Sequence, residues 1–160
     1  MAHKGRFRPK NPQKYKGDPT NIIYRSSWEL MVFRRLDEHP DVIEWSSEEV
    51  SIPYVNPVRS MKAGERKVSR YFPDIIVKKR LPTNEIVTMM IEIKPKSQTA
   101  PPDPARRNAT KSGRVSRRYL NEAATYSVNE AKWEAARRYC KERGMEFVIM
   151  TEEHIKPLGK

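Results

Sequence analysis

The stretch IVTMMIEIK, residues 86–94, decides the fold of this chain. Up to Ile91 it is apolar on both of its alternating faces, as is typical of a central strand that is covered on both sides. Pro95 follows and ends the strand, because proline cannot donate a hydrogen bond to a sheet ladder. The stretch therefore predicts the middle of a sheet that lies between two layers.

Other helix and strand patterns flank this stretch. A helix is expected to begin near Ser26 and to stop at Pro40, because its apolar residues recur at about 100° per residue. Later in the chain, Asn129 is a good N-cap and Gly144 a good C-cap for a second helix. In chain order we predict a helix over 26–39, strands over 49–55, 71–78 and 86–94, helices over 117–126 and 129–144, and a strand over 146–151. This αβββααβ order is an α/β fold with a mixed central sheet flanked by helices.

Charge and composition point to nucleic acid as the partner. The 160 residues, enough for one domain, include 32 Lys and Arg against 20 Asp and Glu, a formal charge of +12. Such an excess captures polyanions, and neutralising phosphates releases counterions. The single cysteine, Cys140, cannot form an internal disulfide and indicates a reducing compartment. No apolar run reaches the roughly 18 residues of a membrane span, and the N-terminus has no apolar secretory core.

Three basic segments are candidates for phosphate contacts. Residues 1–20 form a proline-broken basic arm, disordered when free or ordered on DNA, which precedes a domain over 21–160. Two flexible basic loops are expected at about 56–70 and 97–117, and long loops in compact domains are commonly functional. The named DNA-binding candidates are Lys96, Arg106, Arg107, Arg117 and Arg118.

Asp74 interrupts a β-branched, apolar strand pattern in Tyr71–Lys78. Burying its carboxylate is costly unless a cation or hydrogen-bond donors compensate. Pro73 leaves a second interpretation open, because proline also favours an edge strand or a bulge that would expose Asp74.

Glu92 and Lys94 stand two residues apart at the end of the central strand, so both side chains point to the same face, about 7 Å apart. Ile91 and Ile93 point to the other face. The arrangement places a carboxylate beside an ammonium group. A surface ion pair at a strand end is the competing interpretation, since short E-x-K patterns are common.

Glu29 falls on the apolar side of the first helix, near Trp28, Val32 and Phe33. It is a candidate site carboxylate or metal ligand. It also fits the capping box of Ser26-Ser27-Trp28-Glu29, in which it would accept a hydrogen bond from the Ser26 backbone N–H. Both interpretations stay open at the level of the sequence.

Together these residues have the chemistry of phosphodiester hydrolysis. Two converging carboxylates can hold Mg²⁺, with waters completing its coordination. The ion lowers the pKa of a bound water and neutralises charge on the phosphate. A neighbouring lysine can orient or deprotonate the water and stabilise the transition state. We therefore expect Mg²⁺, with Mn²⁺ as a substitute, and no small-molecule cofactor.

This combination resembles the PD-(D/E)xK nuclease superfamily, whose αβββαβ core carries the acids and the lysine at one edge of the sheet. A closer resemblance covers most of the chain and is to the head completion nucleases of large tailed bacteriophages, with the helix start also similar to TnsA-like transposon nucleases. It is carried by Pro9-Lys10-Asn11, KYKGDP at 14–19, YRSSWE at 24–29, RYFPDI at 70–75, IEIKPK at 91–96, TYSVN at 125–129 and Lys132-Trp133.

The resemblance implies a restriction-endonuclease-like fold and a double-stranded DNA endonuclease that acts late in virion assembly, before neck and tail attach. It implies Glu29, Asp74, Glu92 and Lys94 as the catalytic residues, and Glu29, Asp74 and Glu92 as metal ligands. It further implies the host cytoplasm or the virion as the location, and portal or neck proteins as partners. The 59–70 and 97–118 segments are longer and more basic here, so substrate preference does not transfer.

Two other functions fit the same sequence. One is a head-closure protein that binds DNA or the portal without cleaving, for which the basic segments would suffice. The other is a junction- or transposon-type nuclease on the same fold, which would prefer branched DNA. Plasmid nicking with and without EDTA separates the first from an enzyme.

Overall fold

The computed structural model describes residues 3–159, with side chains through residue 157. Residues 1 and 2 of the predicted arm and residue 160 of the predicted domain lie outside this range. The helices are α1 (Ser27–Glu38), α2 (Pro57–Ala63), α3 (Arg117–Glu142) and α4 (Glu152–Ile155). The strands are β1 (Gly5–Phe7), β2 (Ile22–Tyr24), β3 (Val42–Ser46), β4 (Ile52–Val55), β5 (Val68–Tyr71), β6 (Ile75–Arg80), β7 (Ile86–Ile93) and β8 (Glu146–Met150).

The central sheet has the strand order β3-β6-β7-β8. Its first two pairings are antiparallel and β7–β8 is parallel, so the sheet is mixed. The predicted fold class and the interior position of residues 86–93 are both confirmed. Ile75 pairs with Ile91, and extending this register by one residue sets Asp74 opposite Glu92.

Hydrophobic clusters cover both faces of the sheet. Ile75 and Ile91 belong to the cluster that contains Phe33 of α1. Met90 belongs to the cluster that contains Ala136 of α3. Neighbouring residues of one strand therefore face different layers, as the period of two requires. This explains why residues 86–91 are apolar on both sides.

The N-terminal segment is packed on the domain, and the expectation of a disordered arm is wrong for residues 3–20. β1 pairs with β2, and Phe7 and Tyr15 are buried in the cluster around Trp45. The buried carboxylate of Asp37 accepts hydrogen bonds from the backbone N–H groups of Lys10 and Asn11, at 2.8 and 3.0 Å. Aromatic burial fixes this segment although its charge suggested otherwise.

The expected loop at 56–70 contains a helix and a strand. Asn56 caps α2, its Oδ1 accepting from the N–H groups of Val58 and Arg59, and Gly64 ends the helix in the left-handed region. β5 then pairs with β4. The expected strand over 71–78 is two strands, because residues 72–74 separate β5 from β6. β3 was not predicted from the sequence. Asn56 and Pro57 at the helix start were the signals that predict α2.

The break expected between helices at 127–128 is absent, and α3 is one helix of 26 residues. Its sequence has neither proline nor glycine, so nothing interrupts the hydrogen-bond ladder. The Ser127 hydroxyl donates to the Ala124 carbonyl within the helix, and the expected N-cap, Asn129, is buried in its middle. None of the helices in the described part of the chain has the length and apolar character that crossing a membrane requires.

Candidate active site

The fold brings Asp74, Glu92 and Lys94 together at one end of the sheet. Asp74 stands at the start of β6, and its Oδ2 accepts the backbone N–H of Ile93 at 2.7 Å. Lys94 follows β7 directly, with its Nζ 3.7 Å from Glu92 Oε1. Its backbone N–H donates to the Met150 carbonyl of β8 at 3.0 Å. These three residues, which we call the carboxylate centre, are held by hydrogen bonds to two neighbouring strands.

Glu92 is buried, with only 7% of the residue exposed. Its Oε2 accepts a hydrogen bond from the hydroxyl of Tyr71, which is itself buried at the end of β5. The other carboxylate oxygen faces Lys94. Glu92 is thus fixed in orientation from both sides, which is the positional control that a metal or substrate site requires.

The carboxylates of the centre are difficult to ionise in this environment. Burial, and then the negative charge of Glu92, hold the pKa of Asp74 well above its ordinary value, although the Ile93 N–H opposes this. Burial also raises the pKa of Glu92, against the hydrogen bond from Tyr71 and the charges of Lys94 and Lys132. The protein groups therefore compensate the two negative charges only in part, so the centre favours an added cation.

Glu29 caps α1 and also faces the centre. Its backbone N–H donates to Ser26 Oγ at 3.1 Å, and its Oε2 accepts the N–H of Arg25 at 2.9 Å. The predicted acceptance from the Ser26 N–H is wrong by one residue. Burial raises the pKa of Glu29, with a smaller contribution from Glu92. Its Oε1 accepts no hydrogen bond from residues 3–159, so capping leaves one oxygen for the site.

A complete three-carboxylate ligand set is not assembled. Among the described residues, no group of three or more His, Cys, Asp or Glu side chains is arranged to hold a metal ion. Mg²⁺ does not require one, because it usually keeps several waters and binds one or two carboxylates plus substrate phosphates. Asp74 and Glu92 supply hard oxygen donors with uncompensated charge, so the donor set fits a hard divalent cation.

Sequence reasoning missed two polar side chains beside Glu92. One is Tyr71, which lies in the strand pattern and in the RYFPDI stretch but was given no role at the site. The other is Lys132 of α3, whose Nζ lies 5.9 Å from the centroid of the Tyr71 ring and whose charge opposes the burial that raises the pKa of Glu92. Lys132 belongs to a residue pair that carries the family resemblance, but no spacing pattern assigns it to the site, because the helix meets the sheet only in the folded chain.

Arg25 was also missed. Its guanidinium makes two hydrogen bonds to Glu48, at 3.2 and 3.1 Å. Glu48 has a positive φ of 54°, which is uncommon for a residue with a side chain. The hydrogen bonds and charge of Glu48 raise the pKa of Arg25, and the nearby charges of Glu29 and Asp74 add to this rise. A second cation thus lies on the Glu29 side of the carboxylate centre.

The basic candidates fall into two groups. Arg106 and Arg118 both form ion pairs with Glu122, at 3.3 and 3.0 Å, and Lys96 pairs with Glu153 at 2.6 Å. Arg107 and Arg117 are exposed and form no ion pair within residues 3–159. The segment between residues 96 and 116 has two short 3₁₀ turns, Lys96–Gln98 and Pro104–Arg106. The DNA-contact assignment remains a prediction.

Comparison with known proteins gives two matches. The model of the TnsA-like endonuclease N-terminal family matches residues 39–152. These residues include Asp74, Glu92 and Lys94, whereas Glu29 precedes them. The head completion nuclease of enterobacteria phage T4 is 41% identical over 160 residues, covering 99% of this chain and 97% of that protein.

Proposed function

This chain belongs to the TnsA-like endonuclease family, and we propose from this premise that it is a divalent-metal-dependent DNA endonuclease with Asp74, Glu92 and Lys94 at its catalytic centre. The single observation that carries the proposal is the juxtaposition of a buried carboxylate, Glu92, and a half-buried one, Asp74, both with raised pKa values, with a lysine at one end of the sheet. Fold stability alone gives no reason to keep such a set, because burying charge is costly.

Each residue has a role that follows from its contacts. Asp74 and Glu92 would hold the metal ion, and Glu29 would add a supporting carboxylate through its unbonded Oε1. Lys94 orients the attacking water and stabilises the negative charge that develops on the phosphate. Tyr71 and Lys132 are positioning residues, because both act on Glu92. A bound Mg²⁺, or Mn²⁺ in its place, would supply a water of lowered pKa and neutralise the phosphate charge.

We propose head completion of a tailed phage as the biological setting. The similarity to the T4 head completion nuclease spans nearly both chains, which supports a shared role. On this proposal the protein processes the ends of packaged double-stranded DNA in the host cytoplasm, before the neck and tail attach, and stays with the virion. Portal or neck proteins would be its partners there.

Nicking of supercoiled plasmid tests the enzyme. We expect cleavage with Mg²⁺ or Mn²⁺, no cleavage in EDTA, and loss of cleavage in Asp74→Asn and Lys94→Ala. Asp41→Asn and Lys141→Ala are matched controls, because both positions are exposed and distant in sequence from the centre. Calorimetric titration of Mn²⁺ into DNA-free protein gives a second readout, and Asp74→Asn should weaken that binding.

Two results would overturn the proposal. Cleavage that persists in the Asp74→Asn/Lys94→Ala double variant would place the chemistry elsewhere. DNA binding with no cleavage under any divalent ion would favour the head-closure protein that binds without cutting. If the protein cleaves branched DNA far faster than linear duplex, it is still an endonuclease, but its substrate is branched DNA.

A further inference from the structure

A polar groove lies between the segment after Lys94 and the first half of α3. Its volume is about 530 Å³, within the roughly 300–1,000 Å³ typical of small-ligand sites. One wall is formed by residues 97–106 and includes Gln98. The other is formed by α3 and includes Asn121, Thr125, Tyr126 and Asn129. We call it the α3 groove.

The amide of Asn129 is available to a ligand in the α3 groove. The residue is only 7% exposed, lines the groove, and its side chain forms no hydrogen bond to residues 3–159. Its amide atoms are not among the fully buried polar atoms without a partner, which in the described residues are Trp45 Nε1 and Trp133 Nε1. The amide therefore reaches the groove and can bond a molecule that enters it.

The α3 groove adjoins the carboxylate centre. Asn129 and Lys132 are three residues apart on α3, so their side chains are neighbours on one side of the helix. Lys132 approaches Tyr71 and affects the pKa of Glu92. On the opposite wall, Gln98 follows Lys94 by only four residues. A ligand in the groove would lie next to the phosphate at which cleavage is proposed.

The lining has the chemistry that recognises a nucleobase. The amides of Gln98, Asn121 and Asn129 combine donors and acceptors, which suits the edge of an unpaired base. Tyr126 supplies an aromatic ring for stacking. The charged side chains in the lining are Arg106, Arg118, Asp103 and Glu122, so the groove is formally neutral. A neutral interior favours the base, while the N–H groups of Arg106 and Arg118 that do not bond Glu122 lie on the two walls and can donate to a phosphate.

We propose that the α3 groove holds one unpaired nucleotide of the DNA substrate beside the catalytic centre. This inference rests on the proposed function and narrows its substrate class. The enzyme acts at frayed, overhanging or branched DNA, where a base is already released from its pair. In a fully paired duplex a base must first be unpaired and unstacked, which costs free energy and weakens binding.

Fluorescence anisotropy in EDTA tests the inference without catalysis. The measured quantity is the ratio of the dissociation constant for a blunt duplex to that for the same duplex with a short overhang, of either polarity. We expect overhang binding to be tighter by about fivefold or more, since stacking of one base is worth about 5- to 150-fold in affinity. A ratio near one for the unaltered protein would overturn the inference.

Paired variants assign the preference to the α3 groove. Thr125→Glu puts a carboxylate into the groove from an exposed helical position, and Leu120→Glu adds the same charge to the same helix at a position that does not line it. The first should abolish the overhang preference and the second should keep it. Tyr126→Ala should also abolish it and Tyr126→Phe should not, with thermal unfolding as the control because Tyr126 contacts Trp133.

Equal ratios for Thr125→Glu and Leu120→Glu would overturn the inference. Failure here is distinguishable from failure of the proposed function. If the protein prefers overhangs but never cleaves DNA, the α3 groove binds a nucleotide and the proposed enzymatic function is wrong. If the protein cleaves blunt duplex and shows no overhang preference, the enzymatic function is correct and the role of the groove is wrong.

Discussion

The Lys94–Glu92 pair and the Arg118–Glu122 pair have the same charges in opposite environments. At the carboxylate centre the side chains are 24% and 9% exposed and 3.7 Å apart. On the surface of α3 they are 81% and 37% exposed and 3.0 Å apart. The shorter pair is the exposed one, where solvent and salt screen the two charges and the pair contributes little to stability. The longer pair is largely buried, where a charge that its partner compensates only in part destabilises the fold.

If the proposed function is correct, the difference separates charges kept for chemistry from charges kept for solubility. In the surface pair the two charges compensate each other. Glu122 has a lowered pKa because its carboxylate accepts hydrogen bonds from Arg118 and Arg106. At the carboxylate centre burial dominates, and both acids have raised pKa values despite the lysine. A charge that its own fold disfavours is a better indicator of function than a charge that is well paired.

The largest expected effect is that of Asp74→Asn, which should reduce cleavage by about 10³-fold or more, because the charge stabilisation that a metal ion supplies is worth several kcal/mol and each 1.36 kcal/mol is a factor of ten. The same change should stabilise the metal-free fold at neutral pH. Because its pKa is raised, folded Asp74 binds its proton more tightly than the unfolded chain does. The resulting stability is complete at acidic pH and is lost as pH rises through the raised pKa.

Thermal unfolding in EDTA measures this stability. The variant should exceed the unaltered protein in melting temperature at neutral pH, and the difference should disappear at acidic pH. A variant that is less stable at neutral pH would show that Asp74 is well compensated in the fold, and the contrast between the two pairs would fail.

Lys94→Ala should reduce cleavage by about 10²- to 10³-fold, the range for removing one group that stabilises developing charge. Mn²⁺ binding by calorimetry should persist, because both carboxylates remain. Lys141→Ala serves as the exposed-lysine control in the same nicking assay. Complete loss of metal binding in Lys94→Ala would instead make the lysine a structural counterion.

Tyr71→Phe should reduce activity or metal affinity by about 10- to 100-fold, as expected when a partner that orients a ligand is removed. Tyr54→Phe is the matched control, a buried tyrosine in the same hydrophobic cluster whose hydroxyl lies near Asn56 rather than Glu92. A Tyr71→Phe enzyme with a normal rate and normal Mn²⁺ titration would contradict the positioning role.

The smallest effects are expected from replacing the exposed arginines that are proposed to contact phosphates. Alanine at Arg107 or Arg117 should leave the cleavage rate at saturating DNA nearly unchanged. Each lost phosphate contact should flatten the plot of log binding constant against log salt by about 0.9. Arg106→Ala and Arg118→Ala should flatten it less, because Glu122 already neutralises part of their charge. An unchanged slope after replacing all four would place the contacts elsewhere.

Local spacing in the sequence indicated three members of the candidate site, Asp74, Glu92 and Lys94, and the fold brings these three residues together. Glu92 and Lys94 share a face because strand residues alternate, and Asp74 was identified because it interrupts an apolar pattern. Tyr71 and Lys132 were missed for a physical reason. Each gains its contact with Glu92 only when β5 or α3 packs against the end of the sheet. Both residues lie in stretches that carry the family resemblance, but the spacing within those stretches does not reveal the contact.

Errors in the fold prediction have the same origin. The basic N-terminal segment was interpreted by its charge, yet Phe7 and Tyr15 pack against Trp45 and fix it. Asn129 was interpreted as an N-cap from its residue type. In the structure it is enclosed within a continuous helix, where its amide faces the α3 groove.

The sequence by itself determined the central strand, the mixed α/β class and the first helix with its Ser26 cap, and it indicated the acids and the lysine of the candidate site. These depend on period, capping and apolar content, which act over a few residues. Tertiary structure alone decided which oxygen of each carboxylate is bonded, how far each charge is desolvated, and that Tyr71, Lys132 and Arg25 surround the centre. Those properties depend on packing between residues far apart in the chain, where burial determines the free energy of each charge.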